Sequence, residues 1–179
     1  VFLAGLMVGR TPESIGKKIN AFDMKMVCII ILVPPLCLLL ATAITTLFPA
    51  AQQLQADGGW LSNTGSNGFS EILYAYTSMA GNNGSAFAGF QANTVLTNVM
   101  GGTVMLLVRF LPMVAVIYLA QSLASKKYVP AGSGTLETTS PLFVGFLIVI
   151  VLIVGALTFL PVLALGPLAE FFTQLHVLG

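Results

Sequence analysis

Charged residues are scarce in this sequence: seven Lys and Arg and six Asp and Glu, together 7% of 179 residues. A soluble domain carries about 25%, so a water-coated globule of this size is excluded. Disorder is excluded as well, because it requires low hydrophobicity and high charge, whereas 56% of this chain is hydrophobic. The net charge of +1 provides no basic field for nucleic acid. Cysteine is nearly absent, and Cys28 and Cys37 share one apolar run with neither a disulfide framework nor a zinc-ligand spacing. There is no GxxxxGKS/T loop and no DKTG-like phosphorylation motif, so ATP chemistry has no residues here.

What is present is long apolar sequence, with a mean hydropathy of +0.95. A bilayer core of about 30 Å needs about 20 apolar residues in a helix. Val27 to Phe48 contains no charge, and Leu142 to Leu165 is interrupted only by Gly145, Gly155 and Pro161. Val95 to Ala124 is long but carries Gly101-Gly102, Arg109 and Pro112. All three read as membrane-spanning helices. The chain opens on apolar Val1 to Val8 with no initiator Met, which predicts the end of a truncated membrane helix at 1–8.

The basic residues predict orientation. Arg10, Lys17, Lys18 and Lys25 lie in the loop 9–26, and Lys126 and Lys127 in the loop 125–140. Neither Pro49–Thr94 nor the tail 166–179 contains Lys or Arg. The positive-inside rule makes the two basic loops cytoplasmic and the tail extracytoplasmic.

Between the first two spans, Gln52 to Asn67 is polar and reads as an exposed loop. A short helix is predicted at 68–79 from the spacing of Phe69, Ile72, Leu73, Tyr76 and Met79, with Asn67 or Ser70 as N-cap and Glu71 at its start. The irregular run 81–87 of Gly, Asn, Ser and Ala follows at once. Span, half-helix, Gly-rich turn and span is the order of a pore loop, in which backbone carbonyls replace an ion's hydration shell. An amphipathic helix lying on the outer surface is the alternative. Tyr74 and Tyr76 read as packing aromatics, and Gly101-Gly102 as a place of close helix approach. Arg109 lies about 21 Å along its helix, and a charge at that depth is functional by default. Its alternative is a structural role, pairing with carbonyls freed around Pro112.

Several motifs are more specific. Gly9-Arg10-Thr11-Pro12-Glu13-Ser14-Ile15-Gly16-Lys17-Lys18, Gly68-Phe69-Ser70-Glu71, Asn82-Asn83-Gly84-Ser85-Ala86-Phe87-Ala88-Gly89, Ser133-Gly134-Thr135-Leu136 and Gly155-Ala156-Leu157-Thr158-Phe159 occur in that order. This set resembles the potassium-binding A subunit of Kdp-type potassium-transporting ATPases, across essentially the whole chain as that subunit's C-terminal third. The resemblance implies an all-α integral membrane protein built from membrane–pore–membrane, potassium-channel-like repeats. It places the end of a third repeat at 1–8, a complete fourth repeat at 27–124, and an additional C-terminal transmembrane helix at 141–165.

It further implies a selectivity filter at Asn82, Asn83, Gly84, Ser85, Ala86 and Phe87, with K+ held by backbone carbonyls near Gly84 and Arg109 lining the ion path below. The family often shows three Asn before that glycine; Gly81 replaces the first. The implied role is a non-hydrolytic, potassium-binding subunit of an uptake pump in the bacterial inner membrane, with its filter loop on the extracytoplasmic side. K+ would be its cargo, with no ATP or Mg2+ bound by this chain. The implied partners are a P-type ATPase B subunit and further small subunits. A stand-alone oligomeric cation channel and a secondary cation transporter with a broken helix are the alternatives from other classes.

Overall fold

A computed structural model of the chain describes residues 13–14, 16–54, 57–130 and 140–178. The expected helix end at 1–8, half of the Gly9–Lys18 motif and the Ser133–Leu136 motif lie outside the described residues. The fold is mainly helical. A two-residue antiparallel hairpin, β1 (Glu13–Ser14) and β2 (Lys17–Lys18), precedes α1 (Ala21–Thr46), α2 (Pro49–Gln52), α3 (Gly65–Ala80), α4 (Val95–Ser125) and α5 (Pro141–Leu178).

Local chemistry sets the helix ends. α1 starts six residues before the uncharged run, because the Asn20 N–H donates to Asp23 Oδ2 at 2.7 Å and so satisfies a donor at the helix start. Hydropathy marks where lipid begins, whereas a cap marks where the helix begins. At the far end, Pro49 takes the first position of α2, where its missing N–H costs nothing. α4 is capped by Thr94, whose Oγ1 accepts from the Thr97 N–H at 3.1 Å. The reciprocal bond runs from the Thr94 N–H to Thr97 Oγ1 at 3.0 Å. α1 and α4 are each long and apolar enough to cross a membrane.

α1 packs along α4, and α3 packs against both. Ile72, Ala75, Tyr76 and Ala80 of α3 meet Ala41 of α1 and Val104 and Val108 of α4 in one buried cluster. The Tyr76 hydroxyl bonds Thr45 Oγ1 of α1 at 2.7 Å. Gly101 permits the α3–α4 approach, since a Cβ there would lie 2.7 Å from Met79 Sδ, whereas a Cβ at Gly102 would meet nothing within 4 Å. Only the first of the two glycines is thus a close-packing residue. Large side chains such as Ile31, Leu32, Leu36 and Leu106 stay exposed on α1 and α4, a surface that water does not tolerate over such an area.

Two expectations change. The segment after α2 is not simply an exposed loop, because Trp60 and Leu61 are buried in the core cluster. Its polar composition hid one apolar pair that anchors it. The final helix does not end at 165: α5 continues to Leu178, through the stretch expected as a tail. Proline there removes a backbone donor without ending the helix. On that extension Glu170 Oε1 accepts from Asn67 Nδ2 of α3 at 2.8 Å.

A polar clasp ties the basic ends of α1 and α4 together. Lys126 Nζ pairs with the fully buried Asp23 carboxylate and donates to the Lys18 carbonyl at 2.9 Å. The Ser122 hydroxyl donates to Asp23 Oδ1 at 2.5 Å. Lys17 Nζ donates to the Leu123 carbonyl at 2.7 Å, satisfying an orphan acceptor at the end of α4. Lys126→Ala is expected to destabilise the chain by about 3 kcal/mol, because it leaves a buried carboxylate without its cation. Most of that loss should return in the double variant with Asp23→Asn, read as the thermal inactivation midpoint of the purified complex.

Candidate functional site

The site is built where α3 ends. A helix leaves its last four carbonyls without intrahelical donors, and here the following loop supplies them. The Gly81 N–H donates to the Thr77 carbonyl at 2.9 Å, and the Asn82 N–H to that of Met79 at 2.9 Å. The Asn83 and Gly84 N–H groups both donate to the Ser78 carbonyl, at 3.2 and 3.4 Å. Asn82 Nδ2 completes the set on the Ala80 carbonyl at 3.2 Å. The turn requires left-handed backbone at Asn82 (φ 60°) and Gly84 (φ 65°). Asparagine and glycine are the residues that adopt it most readily.

This arrangement sorts the two kinds of carbonyl. Those at the end of α3 are occupied by the loop's own N–H groups. Those of Asn82 to Ala86 accept no hydrogen bond among the described residues. The N–H groups of Gly81 to Ser85 are thus engaged by α3, while the carbonyls of Asn82 to Ala86 have no donor among the described residues. Gly84 is exposed, and a Cβ there would meet nothing within 4 Å. Gly81 is right-handed (φ −69°), so the missing first Asn is not required by backbone conformation.

The expected filter residues occupy distinct positions. Asn83 Oδ1 accepts from the Ser78 hydroxyl at 2.9 Å, and the same Oγ accepts from the Ser85 N–H at 2.6 Å. The Ser85 hydroxyl bonds the Tyr74 hydroxyl at 3.1 Å. Phe87 stacks on the Tyr74 ring at 4.6 Å between centroids. Ala86 packs half-buried against the core cluster. Beyond the loop, the chain is pinned by the Gln91 N–H to the Trp60 carbonyl at 2.8 Å. Gly89 lies so close to Ser62 that a Cβ would be 2.6 Å from Ser62 Cβ.

Glu71 is 3% exposed and lies in the second turn of α3, not at its start. The helix begins earlier than expected, with Thr64 at its N-cap in place of Asn67 or Ser70. The Glu71 carboxylate accepts from the Ser62 N–H at 2.9 Å and from Asn63 Nδ2 at 2.6 Å. It thus fastens the preceding loop, against which Gly89 packs. Arg109 is brought to the loop: its Nε donates to Asn82 Oδ1 at 3.1 Å. No carboxylate among the described residues lies within ion-pairing distance of it. Its described bond runs to the loop rather than to carbonyls near Pro112.

Sequence reasoning missed Ser78 and the active part of Tyr74. A helical serine facing a Gly-rich turn has no distinguishing pattern. The spacing of Tyr74 and Ser78, one turn apart on the face before the turn, was the available signal.

Comparison with known proteins bears on the whole chain. Residues 1–172 match the family model described as potassium-transporting ATPase A subunit. A relative from Listeria monocytogenes, named potassium-transporting ATPase potassium-binding subunit, is 58% identical over 173 residues, covering 97% of this chain and 30% of that protein. Proteins of the same name from Clostridium perfringens and Clostridium botulinum are 53% and 51% identical over 175 residues, covering 98% of this chain and 29% of each. The chain therefore spans about three-tenths of the length of these relatives.

Proposed function

The chain belongs to the potassium-transporting ATPase A subunit family, and from that premise we propose that it forms part of a potassium-binding, channel-like subunit of an ATP-driven uptake pump. The observation that carries this reading is the half-helix α3, whose end is closed by a loop in which the carbonyls of Asn82 to Ala86 accept no hydrogen bond among the described residues. In this reading the pore helix is α3, and the loop is one strand of a selectivity filter that needs three further strands from the rest of the subunit. K+ is cargo, coordinated by backbone oxygens in place of water.

The end of α3 contributes its negative helix pole, equivalent to about half an elementary charge. The carbonyls next to Gly84 contribute the ligands. Arg109 lies just beyond them and limits how far a cation descends. ATP is hydrolysed by a P-type ATPase B subunit with further small subunits in the complex, and this chain supplies no catalytic group and binds neither ATP nor Mg2+. The basic clasp faces the cytoplasm of a bacterial inner membrane, and the loop faces outward.

Sidedness gives the test. In sealed proteoliposomes holding the complete complex, ATP hydrolysis should saturate with K+ added on the face of the loop. Stimulation only from the face carrying Lys17 and Lys126 would overturn the reading.

A further inference from the structure

The loop that closes α3 does not hold its shape alone. Tyr74 and Ser78 stand one helical turn apart on α3, so their side chains share a face. That face bonds the returning chain at each alternate residue. Ser78 takes Asn83 through its hydroxyl proton and Ser85 through its oxygen lone pair. Tyr74 takes Ser85 through its hydroxyl and Phe87 through its ring. The Ser78 carbonyl adds the N–H groups of Asn83 and Gly84. Gly84 is thus bracketed on both sides by one serine. A hydroxyl has a single proton to donate and lone pairs to accept, and both functions of Ser78 Oγ are committed to the loop.

We propose that Ser78 and Tyr74 are positioning residues for ion selectivity: they form a template that holds Asn83 to Phe87, with the N–H groups of Asn83, Gly84 and Ser85 bonded to Ser78 and, among the described residues, no hydrogen bond to the carbonyls of Asn83 to Ala86. This rests on the reading of Asn82 to Phe87 as a filter strand. Discrimination between cations of similar charge depends on how well the carbonyl cage matches the ion, and the spacing of the cage is set by whatever anchors the backbone behind it. Ser78 is buried, so its hydroxyl has no water to substitute for a lost loop partner. Removing it leaves the Ser85 N–H without its acceptor, and the loop relaxes at the residue that follows Gly84. Tyr74 is partly exposed, and loss of its hydroxyl should have a smaller effect of the same kind.

The experiment uses the full complex in proteoliposomes and compares Ser78→Ala, Ser78→Thr and Tyr74→Phe with the parent. ATP hydrolysis is measured against K+ and, separately, against Rb+ and Na+. Ser78→Ala should raise the half-saturating K+ concentration about tenfold, the scale of one lost buried hydrogen bond. The preference for K+ over Rb+ should shrink, with the maximal rate nearly unchanged. Ser78→Thr keeps the hydroxyl and should restore the parental preference. Tyr74→Phe keeps the stacked ring and should shift the preference in the same direction by a smaller factor.

A purely structural role would lower the maximal rate and the yield together and leave ion preference untouched; that outcome overturns the proposal. If Ser78→Ala fails to assemble, Tyr74→Phe decides by the same criterion. Gly84→Ala in parallel separates the two levels. An altered K+ response there, with parental preference in both template variants, defeats the template alone. A parental response in Gly84→Ala defeats the filter reading itself.

Discussion

Replacing Gly84 is expected to cause the largest loss of potassium response of any single change in this chain. Gly84 has φ 65°, and an alanine held there costs about 1–2 kcal/mol, roughly a tenfold rise in half-saturating K+ if the loop escapes by rotating. Steric collision does not contribute, because a Cβ at this position would meet nothing within 4 Å. Aspartate separates backbone from ligand effects. It tolerates left-handed backbone better than alanine, so a purely conformational role would make Gly84→Asp the milder change. A role beside the ion makes it the more damaging one. Its carboxylate would attract any small cation by charge and override a cage that selects by fit. Gly84→Asp should therefore raise half-saturating K+ beyond the alanine value and let Na+ stimulate hydrolysis. The measurement is the cation dependence of ATP hydrolysis by the full complex at matched protein levels. Parental K+ dependence in both variants would remove Gly84 from the ion path.

The order of elements was legible because lipid imposes it: apolar runs of the right length, uncharged at Val27–Phe48 and with Arg109 as the one charge at Val95–Ala124, have few other uses. The half-helix was legible from the spacing of Ile72, Tyr76 and Met79, all of which face the packed side. Its start was not, since the cap at Thr64 lies in a polar stretch where any of several residues qualifies. Glu71 was read as a partner of the helix pole because acidic residues favour first turns. The structure gives it the Ser62 and Asn63 amides instead, and that choice depends on a fold-back no local pattern announces. Trp60 and Leu61 were lost in a polar average for the same reason. Hydropathy ended the last span at Leu165, but the helix continues, and Asn67 of α3 donates to Glu170 on the extension. For Arg109, depth along the helix predicted importance, while its partner could come only from three dimensions.

That partner shapes the second large effect. Arg109 donates through Nε to Asn82 Oδ1, the residue with φ 60° that begins the turn. An amide oxygen supports a guanidinium without cancelling its charge, and among the described residues no carboxylate does so. A resident positive charge therefore sits beside the negative pole of α3, the feature that in the proposed filter would draw a cation into the loop. In the proposed filter, the Arg109 charge would repel a potassium ion at the loop carbonyls from going further unaided. Arg109→Ala removes both the anchor on Asn82 and the barrier. It should permit passive K+ leak through the complex without ATP and lower net uptake by about tenfold, the scale of one charge-assisted hydrogen bond.

Arg109→Lys separates the two contributions. Its ammonium keeps the charge but lacks the planar fork that fixes Nε on Asn82. The lysine variant should remain leak-free while its half-saturating K+ concentration rises, because the turn loses its brace and the barrier persists. Leak is read as ion efflux from loaded proteoliposomes without ATP, and affinity as the K+ dependence of hydrolysis in the same preparations. Equal leak in both variants would show that geometry, not charge, closes the path. Failure of either variant to assemble would make Arg109 a brace for the fold rather than a gate for the ion.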